Sequence, residues 1–189
     1  MITGEENVST GPARKAIILR GPPGVGKSAV RTLLQGHLGK SARYINLDAY
    51  WGKDEWRYAQ PEFRYADLQL ATEPVLVVEL AWGEPDGLIF PGATRGANEW
   101  MSILQRAKRE IFPFFLTAAW KDILNRLTER HGHKGHHDVL AELGRASFYE
   151  HRHYLFSYPE IPGITERTID TTGKTADSVA EAIMGMAGV

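Results

Sequence analysis

The sequence predicts a three-layer α/β fold built around a five-stranded parallel sheet. Three observations carry that expectation. Short continuous apolar runs, such as AIIL and VLVV, lack the alternation of a half-exposed strand and read as strands buried on both faces. Segments with helical spacing separate these runs, and such alternation is the mark of crossover connections in a parallel sheet. The first run ends in GPPGVGKSAV, a glycine-rich turn from strand into helix.

The elements follow in order. Residues 1–14 are polar, broken by Gly4, Gly11 and Pro12, and read as a flexible tail before a single domain over 15–189. Ala16 to Leu19 is the first strand. Lys27 to Leu38 is the first helix, with Val30, Leu33, Leu34 and Leu38 at helical spacing. Tyr44 to Leu47, Val75 to Leu80, Phe112 to Thr117 and Thr165 to Ile169 complete the strands. Further helices are expected over Glu62 to Ala71, Asn98 to Arg109, Trp120 to His131, Val139 to Phe156 and Ala176 to Met186.

Composition narrows the function. A chain of 189 residues suits one domain that buries about 70% of its unfolded surface. The net charge of −1 provides no overall field to draw in nucleic acid or an anionic membrane. With no cysteine there are no disulfides, thiolate metal sites or cysteine nucleophiles. The apolar stretches are too short to cross a bilayer, and no basic-then-apolar leader opens the chain. A cytoplasmic protein without a membrane partner is expected.

Gly21-x4-Gly26-Lys27-Ser28 is a phosphate-binding pattern, and a strand before it and a helix after it are the context it requires. Glycines let successive N–H groups turn toward one anion without a Cβ in the way. The helix beginning at Lys27 adds the positive end of its dipole. The backbone of Gly21, Gly24, Val25, Gly26, Lys27, Ser28 and Ala29 is therefore the candidate cradle for a nucleotide triphosphate. Lys27 can span the β- and γ-phosphates, and Ser28 can ligate Mg²⁺. No guanine-reading N-K-x-D segment accompanies the loop.

Carboxylates at strand ends come next, since ligands of open α/β sheets bind beyond the carboxyl ends of the strands. Asp48, in YINLDAYW, either caps the following turn or deprotonates an acceptor hydroxyl. Glu79, in VLVVELAW, is either a satisfied core-edge acid or a Mg²⁺ and acceptor ligand. The segment from about 126 to 145 has the look of a short helical lid. Its Arg126, Arg130 and Arg145 either neutralise charge on the transferring phosphoryl group or form a solvated cluster. His131, His133, His136 and His137 on a glycine-broken stretch lack the rigid frame of a zinc site.

These features resemble the small P-loop kinases of the nucleoside-monophosphate-kinase-like superfamily, the group of gluconate and shikimate kinases, chloramphenicol phosphotransferase and zeta-toxin-type kinases. The resemblance runs from Lys15 to Met186 and rests on GPPGVGKS, LDAYW, FFLTAAWKDILNRLTER and IDTTGKTADSVAEAI. It implies a P-loop NTPase fold with sheet order 2-3-1-4-5, ATP and Mg²⁺ as cofactors, and a small hydroxyl-bearing acceptor. It also implies that the loop of Asp170, Thr171, Gly173 and Lys174 lies beside adenine; Thr175 is a plausible helix cap. LDAYW is similar to the segment of uridine-kinase-like enzymes that carries the hydroxyl-activating aspartate, which favours Asp48 as base. Acceptor motifs of gluconate or shikimate kinases are missing.

In this architecture the acceptor site comes from the region between the second and third strands. Tyr50, Trp51, Trp56, Tyr58, Phe63 and Tyr65 either wall a ring-shaped acceptor or pack helices on the sheet. Arg57, Arg64 and, on a glycine- and proline-rich loop, Arg95 can hold an acidic group of the acceptor. Two other functions stay open at this point: a 5′-hydroxyl kinase for nucleic acid, and a nucleotide-dependent switch without an acceptor.

Overall fold

In the computed structural model, which describes residues 13–46, 68–80, 97–131 and 164–189, the apolar run ahead of the glycine turn is the middle strand of a sheet. The chain runs β1 (Arg14–Arg20), α1 (Lys27–Leu38), a 3₁₀ turn (Gly39–Ser41), β2 (Ala42–Asn46), β3 (Val75–Leu80), α2 (Ala97–Arg106), β4 (Arg109–Thr117), α3 (Trp120–His131), β5 (Arg167–Asp170) and α4 (Ala176–Ala187). The strands lie in the order β2-β3-β1-β4-β5, and every pairing is parallel. That is the fold class and strand order expected from the sequence.

Strands buried on both faces explain the unbroken apolar runs. Ile17 and Leu19 of β1, Val75 and Val77 of β3 and Phe114 and Leu116 of β4 share one face with Val30 and Leu34 of α1 and Val179 and Ile183 of α4. Ala16, Ile18, Leu76 and Val78 point the other way, against Leu68 and against Ile103 and Leu104 of α2. The helix after β1 thus covers one face, and α2, the next described element after β3, covers the other. The described helices that follow β1 and β3 therefore lie on opposite faces, the arrangement in which open α/β sheets bind ligands beyond the carboxyl ends of the two strands.

Several boundaries differ from the sequence reading. The helical pattern was expected to reach Arg109, but α2 ends at Arg106 and Arg109 opens β4. Lys108 adopts φ 54°, and its N–H donates to Gln105 O at 2.8 Å, which closes the helix. Arg109 is buried and pairs with Arg14 in register; its guanidinium donates to Lys15 O at 3.1 Å and Ala71 O at 2.7 Å. Burial, with Arg14 close by, pushes that guanidinium down to about 10. Polar residues thus begin a strand whose apolar run starts two residues later, at Ile111. β5 starts at Arg167, not Thr165, and runs beside β4 only from Phe114. That leaves Pro113, which is in register with Ile18 of β1, without a partner on the β5 side, where a strand proline can sit.

Arg20, at the carboxyl end of β1, is fully buried. It makes two bonds to the Glu166 carboxylate, one of them Nη2 to Oε2 at 2.7 Å, and lies 5.0 Å from the Phe115 ring centre. This pair ties the end of the central strand to the segment entering β5. Of the helix expected over Glu62 to Ala71, residues 68–71 are described: 68–70 are helical, and Ala71 already lies beyond the helix. The tail 1–12 and the helix expected over Val139 to Phe156 lie outside the described residues.

Candidate functional site

The turn between β1 and α1 holds three glycines at positive φ, each for its own reason. Gly21 has φ 140°, and a Cβ there would lie 2.2 Å from Leu116 O of β4. Gly24 has φ 83°, and its Cβ would meet Ile123 Cγ2 at 3.0 Å and Leu127 Cγ at 3.1 Å on α3. Gly26, the N-cap of α1, has φ 98°, and a Cβ there would meet nothing within 4 Å. Two glycines therefore dock the loop on β4 and α3, and the third borders open space. The first turn of α1 itself holds no acidic residue.

Lys27 is buried and folds back over this loop. Its Nζ donates to Gly21 O at 2.7 Å and Pro22 O at 3.1 Å. An ammonium is thus held at the mouth of a turn whose N–H groups and helix end are suited to a phosphate.

Beside it lies a carboxylate. Glu79 is only 3% exposed at the end of β3. Its Oε1 accepts from Ser28 Oγ at 2.8 Å, joining the end of β3 to the first turn of α1. Its Oε2 accepts from Tyr44 OH at 2.5 Å and lies 4.0 Å from Arg31 Nη1. The Arg31 guanidinium in turn covers the Tyr44 ring, 4.4 Å from its centre. Burial first, then the hydrogen bond and charge of Glu79, push the Tyr44 phenol far above its ordinary range, so it remains a donor. A hydroxyl next to an anionic carboxylate is the oxygen-donor set that a hard cation such as Mg²⁺ takes.

A second network joins the loop to β4, α3 and β5. Thr171 is 3% exposed, and its hydroxyl lies 3.0 Å from both Val25 O and Thr117 O. The same hydroxyl accepts from Arg126 Nη1 at 3.0 Å, while Nη2 donates to Thr171 O at 2.9 Å. The first of these nitrogens also lies 3.4 Å from Gly24 O. Next along, Gly173 N–H donates to Asp122 Oδ2 at 3.1 Å. Asp170 accepts from the Thr172 hydroxyl at 2.6 Å and the Thr172 N–H at 2.9 Å, and these two bonds hold its carboxyl below the usual range. Thr175 caps α4 through Ser178 N–H. Thr171→Val keeps the shape but removes the hydroxyl proton offered to Val25 O and Thr117 O and the acceptor of Arg126 Nη1, while Thr117 O keeps the Thr171 N–H at 2.8 Å. We expect it to lower unfolding free energy by about 2 kcal/mol, read from denaturant curves.

The structure brings Gly21, Gly24, Val25, Gly26, Lys27, Ser28, Glu79, Arg126 and Thr171 to one end of the sheet. Ala29 and Lys174 are exposed, and Arg130 is exposed one turn beyond Arg126 on α3. Asp48, Trp51, Arg57 and Arg95, the other aromatics between β2 and β3, and the lid beyond 131 lie outside the described residues. Arg31, Tyr44 and Asp122 escaped the sequence reading. Two of them left a signal: Arg31 is three residues past Ser28 on one helix face, and Tyr44 precedes by two the residue paired with Glu79.

No protein-family profile matches the chain, and no curated protein matches it. Solved structures match it over nearly its whole length. The shikimate kinase of Acinetobacter baumannii in complex with shikimate superposes with a TM-score of 0.57 at 15% identity, covering 93% of this chain and 93% of its own. The fold is that of the P-loop small-molecule kinases. A gluconokinase from Sinorhizobium meliloti 1021 gives a TM-score of 0.54 at 13% identity, with 94% of each chain covered. The APS kinase of Mycobacterium tuberculosis in complex with AMPPNP and APS gives 0.52 at 19% identity, with 95% of this chain and 100% of its own covered. No described helix is long and apolar enough to cross a membrane.

Proposed function

We propose that the chain is an ATP- and Mg²⁺-dependent phosphotransferase that moves the γ-phosphoryl group to a hydroxyl of a small molecule. The observation that carries this reading is the Ser28–Glu79 hydrogen bond at 2.8 Å, set beside the buried Lys27 at the mouth of the glycine turn. The loop offers N–H groups, a helix end and an ammonium to phosphate, and the adjoining pair offers two oxygen ligands to a cation. A binding loop alone would not need the second half.

In this reading Ser28 and Glu79 hold Mg²⁺, which when bound neutralises charge on the β- and γ-phosphates. Lys27 spans those phosphates. Arg126, fixed by Thr171, and Arg130 face the nucleotide from α3, while Thr171, Gly173 and Lys174 flank the base. Asp48 takes the proton of the acceptor hydroxyl, whose oxygen bonds to the γ-phosphorus as the bond to the β–γ bridging oxygen breaks, releasing ADP. Trp51, Arg57, Glu79 and Arg95 position an acceptor that is a ring-bearing nucleoside, sugar or antibiotic. A cytoplasmic setting is part of the same reading. Its support is the fold shared with kinases whose named substrates are small molecules.

The test is ADP release from Mg-ATP over pooled nucleosides, sugars, sugar nucleotides, amino alcohols and hydroxylated antibiotics. One pool is expected to raise release and to yield a product heavier by one phosphate. Asp48→Asn should abolish that increment while nucleotide affinity stays nearly unchanged. Release equal in every pool to the acceptor-free rate would sink the small-molecule reading. A response only to nucleic-acid ends or to a protein partner would replace it with a 5′-hydroxyl kinase or a switch.

A further inference from the structure

The two oxygens of Glu79 do different jobs. Oε1 faces Ser28, whereas Oε2 is held by Tyr44 OH at 2.5 Å and stands 4.0 Å from Arg31 Nη1. A glutamate carboxylate, carried on three rotatable bonds, has no intrinsic preference for which oxygen it turns to a ligand. Here the choice is made from β2 and α1. Tyr44 pairs with Val77, so it sits diagonally, two positions back, from Glu79 on the neighbouring strand, within reach of a long side chain. Arg31 stands three residues after Ser28 on α1, which places both over the same strand end. It braces the phenol from above, 4.4 Å from the ring centre.

We propose that Tyr44 and Arg31 are positioning residues that clamp Oε2 of Glu79, so that Oε1 alone is presented with Ser28 to the divalent cation of a bound nucleotide. This rests on the reading of Ser28 and Glu79 as the cation ligands. The chemistry is that of an outer shell: groups that never touch the cation fix the orientation and charge of those that do, and their loss typically costs about 10–100-fold in metal affinity. Without the phenol, Oε2 would swing toward Arg31 and draw Oε1 away from Ser28.

Calorimetric titration of ATP in Mg²⁺ and in EDTA separates the possibilities, because the ratio of the two dissociation constants isolates what the cation contributes. Glu79→Gln should bring that ratio close to one. Tyr44→Phe keeps the ring beneath Arg31 and deletes only the hydroxyl; the ratio is expected to fall roughly tenfold while affinity in EDTA holds. Arg31→Met, which keeps a covering stem without charge, should lower the ratio as well, and it tests the clamp independently if Tyr44→Phe does not fold. A lower melting temperature for Tyr44→Phe with the wild-type ratio would reduce Tyr44 to a packing role and overturn the inference. If Glu79→Gln itself keeps the wild-type ratio, the cation assignment beneath the inference is wrong, and both fall together.

Discussion

Lys27→Ala is expected to lower phosphoryl transfer by at least about 10²–10³-fold, a loss of about 3–4 kcal/mol of transition-state stabilisation. The ammonium is not a free surface charge. Two loop carbonyls, Gly21 O and Pro22 O, hold Nζ at 2.7 and 3.1 Å, and the residue is 7% exposed. A charge fixed in advance and shielded from water needs no reorganisation when phosphate charge develops beside it. ATP affinity should fall too, since the same charge meets the ground-state phosphates. The two carbonyls lose a donor in the variant, so its melting temperature is needed alongside the rate. A folded Lys27→Ala protein that still transfers phosphate at the wild-type rate would mean that the loop is not the catalytic phosphate site.

Legibility of this fold in the sequence followed burial. β3, α1 and α3 begin and end where the apolar pattern does, because their residues face a core and the period is decided there. The failures sit where polar side chains are buried by specific bonds. Arg109 reads as helix until its hydrogen bonds to Lys15 O and Ala71 O are known, and no periodicity encodes those. The site divides in the same way. Its glycines, Lys27, Ser28 and Glu79 announce themselves by residue type and by place at a strand end. Tyr44 and Arg31 look like ordinary strand and helix residues, and only the strand register and a helical turn bring them to Glu79. Thr171 was singled out for the backbone beside it. Its buried hydroxyl also joins three elements, which residue type alone does not announce.

The glycines permit a dissociation of stability from binding. Gly21→Ala puts a Cβ 2.2 Å from Leu116 O, and that carbonyl belongs to a strand laddered on both sides, to β1 through Phe115 and to β5 through the Leu116–Ile169 pair. Neither neighbour can yield without breaking hydrogen bonds, and φ 140° adds strain for any residue with a Cβ. A loss of about 3–5 kcal/mol is expected, which in a domain of this size lowers the melting temperature by about 10 °C. Gly26→Ala meets no atom within 4 Å and pays only for φ 98°, about 1–2 kcal/mol. Its methyl, however, enters the open side of the loop, where phosphate is expected to sit. Melting should therefore shift by only a few degrees while ATP binds at least about tenfold more weakly, a cost of about 1.4 kcal/mol. Gly26→Ala binding ATP as the wild type does would place the phosphate elsewhere, whereas an undisturbed Gly21→Ala would mean that β4 and the loop are not packed as closely as 2.2 Å requires.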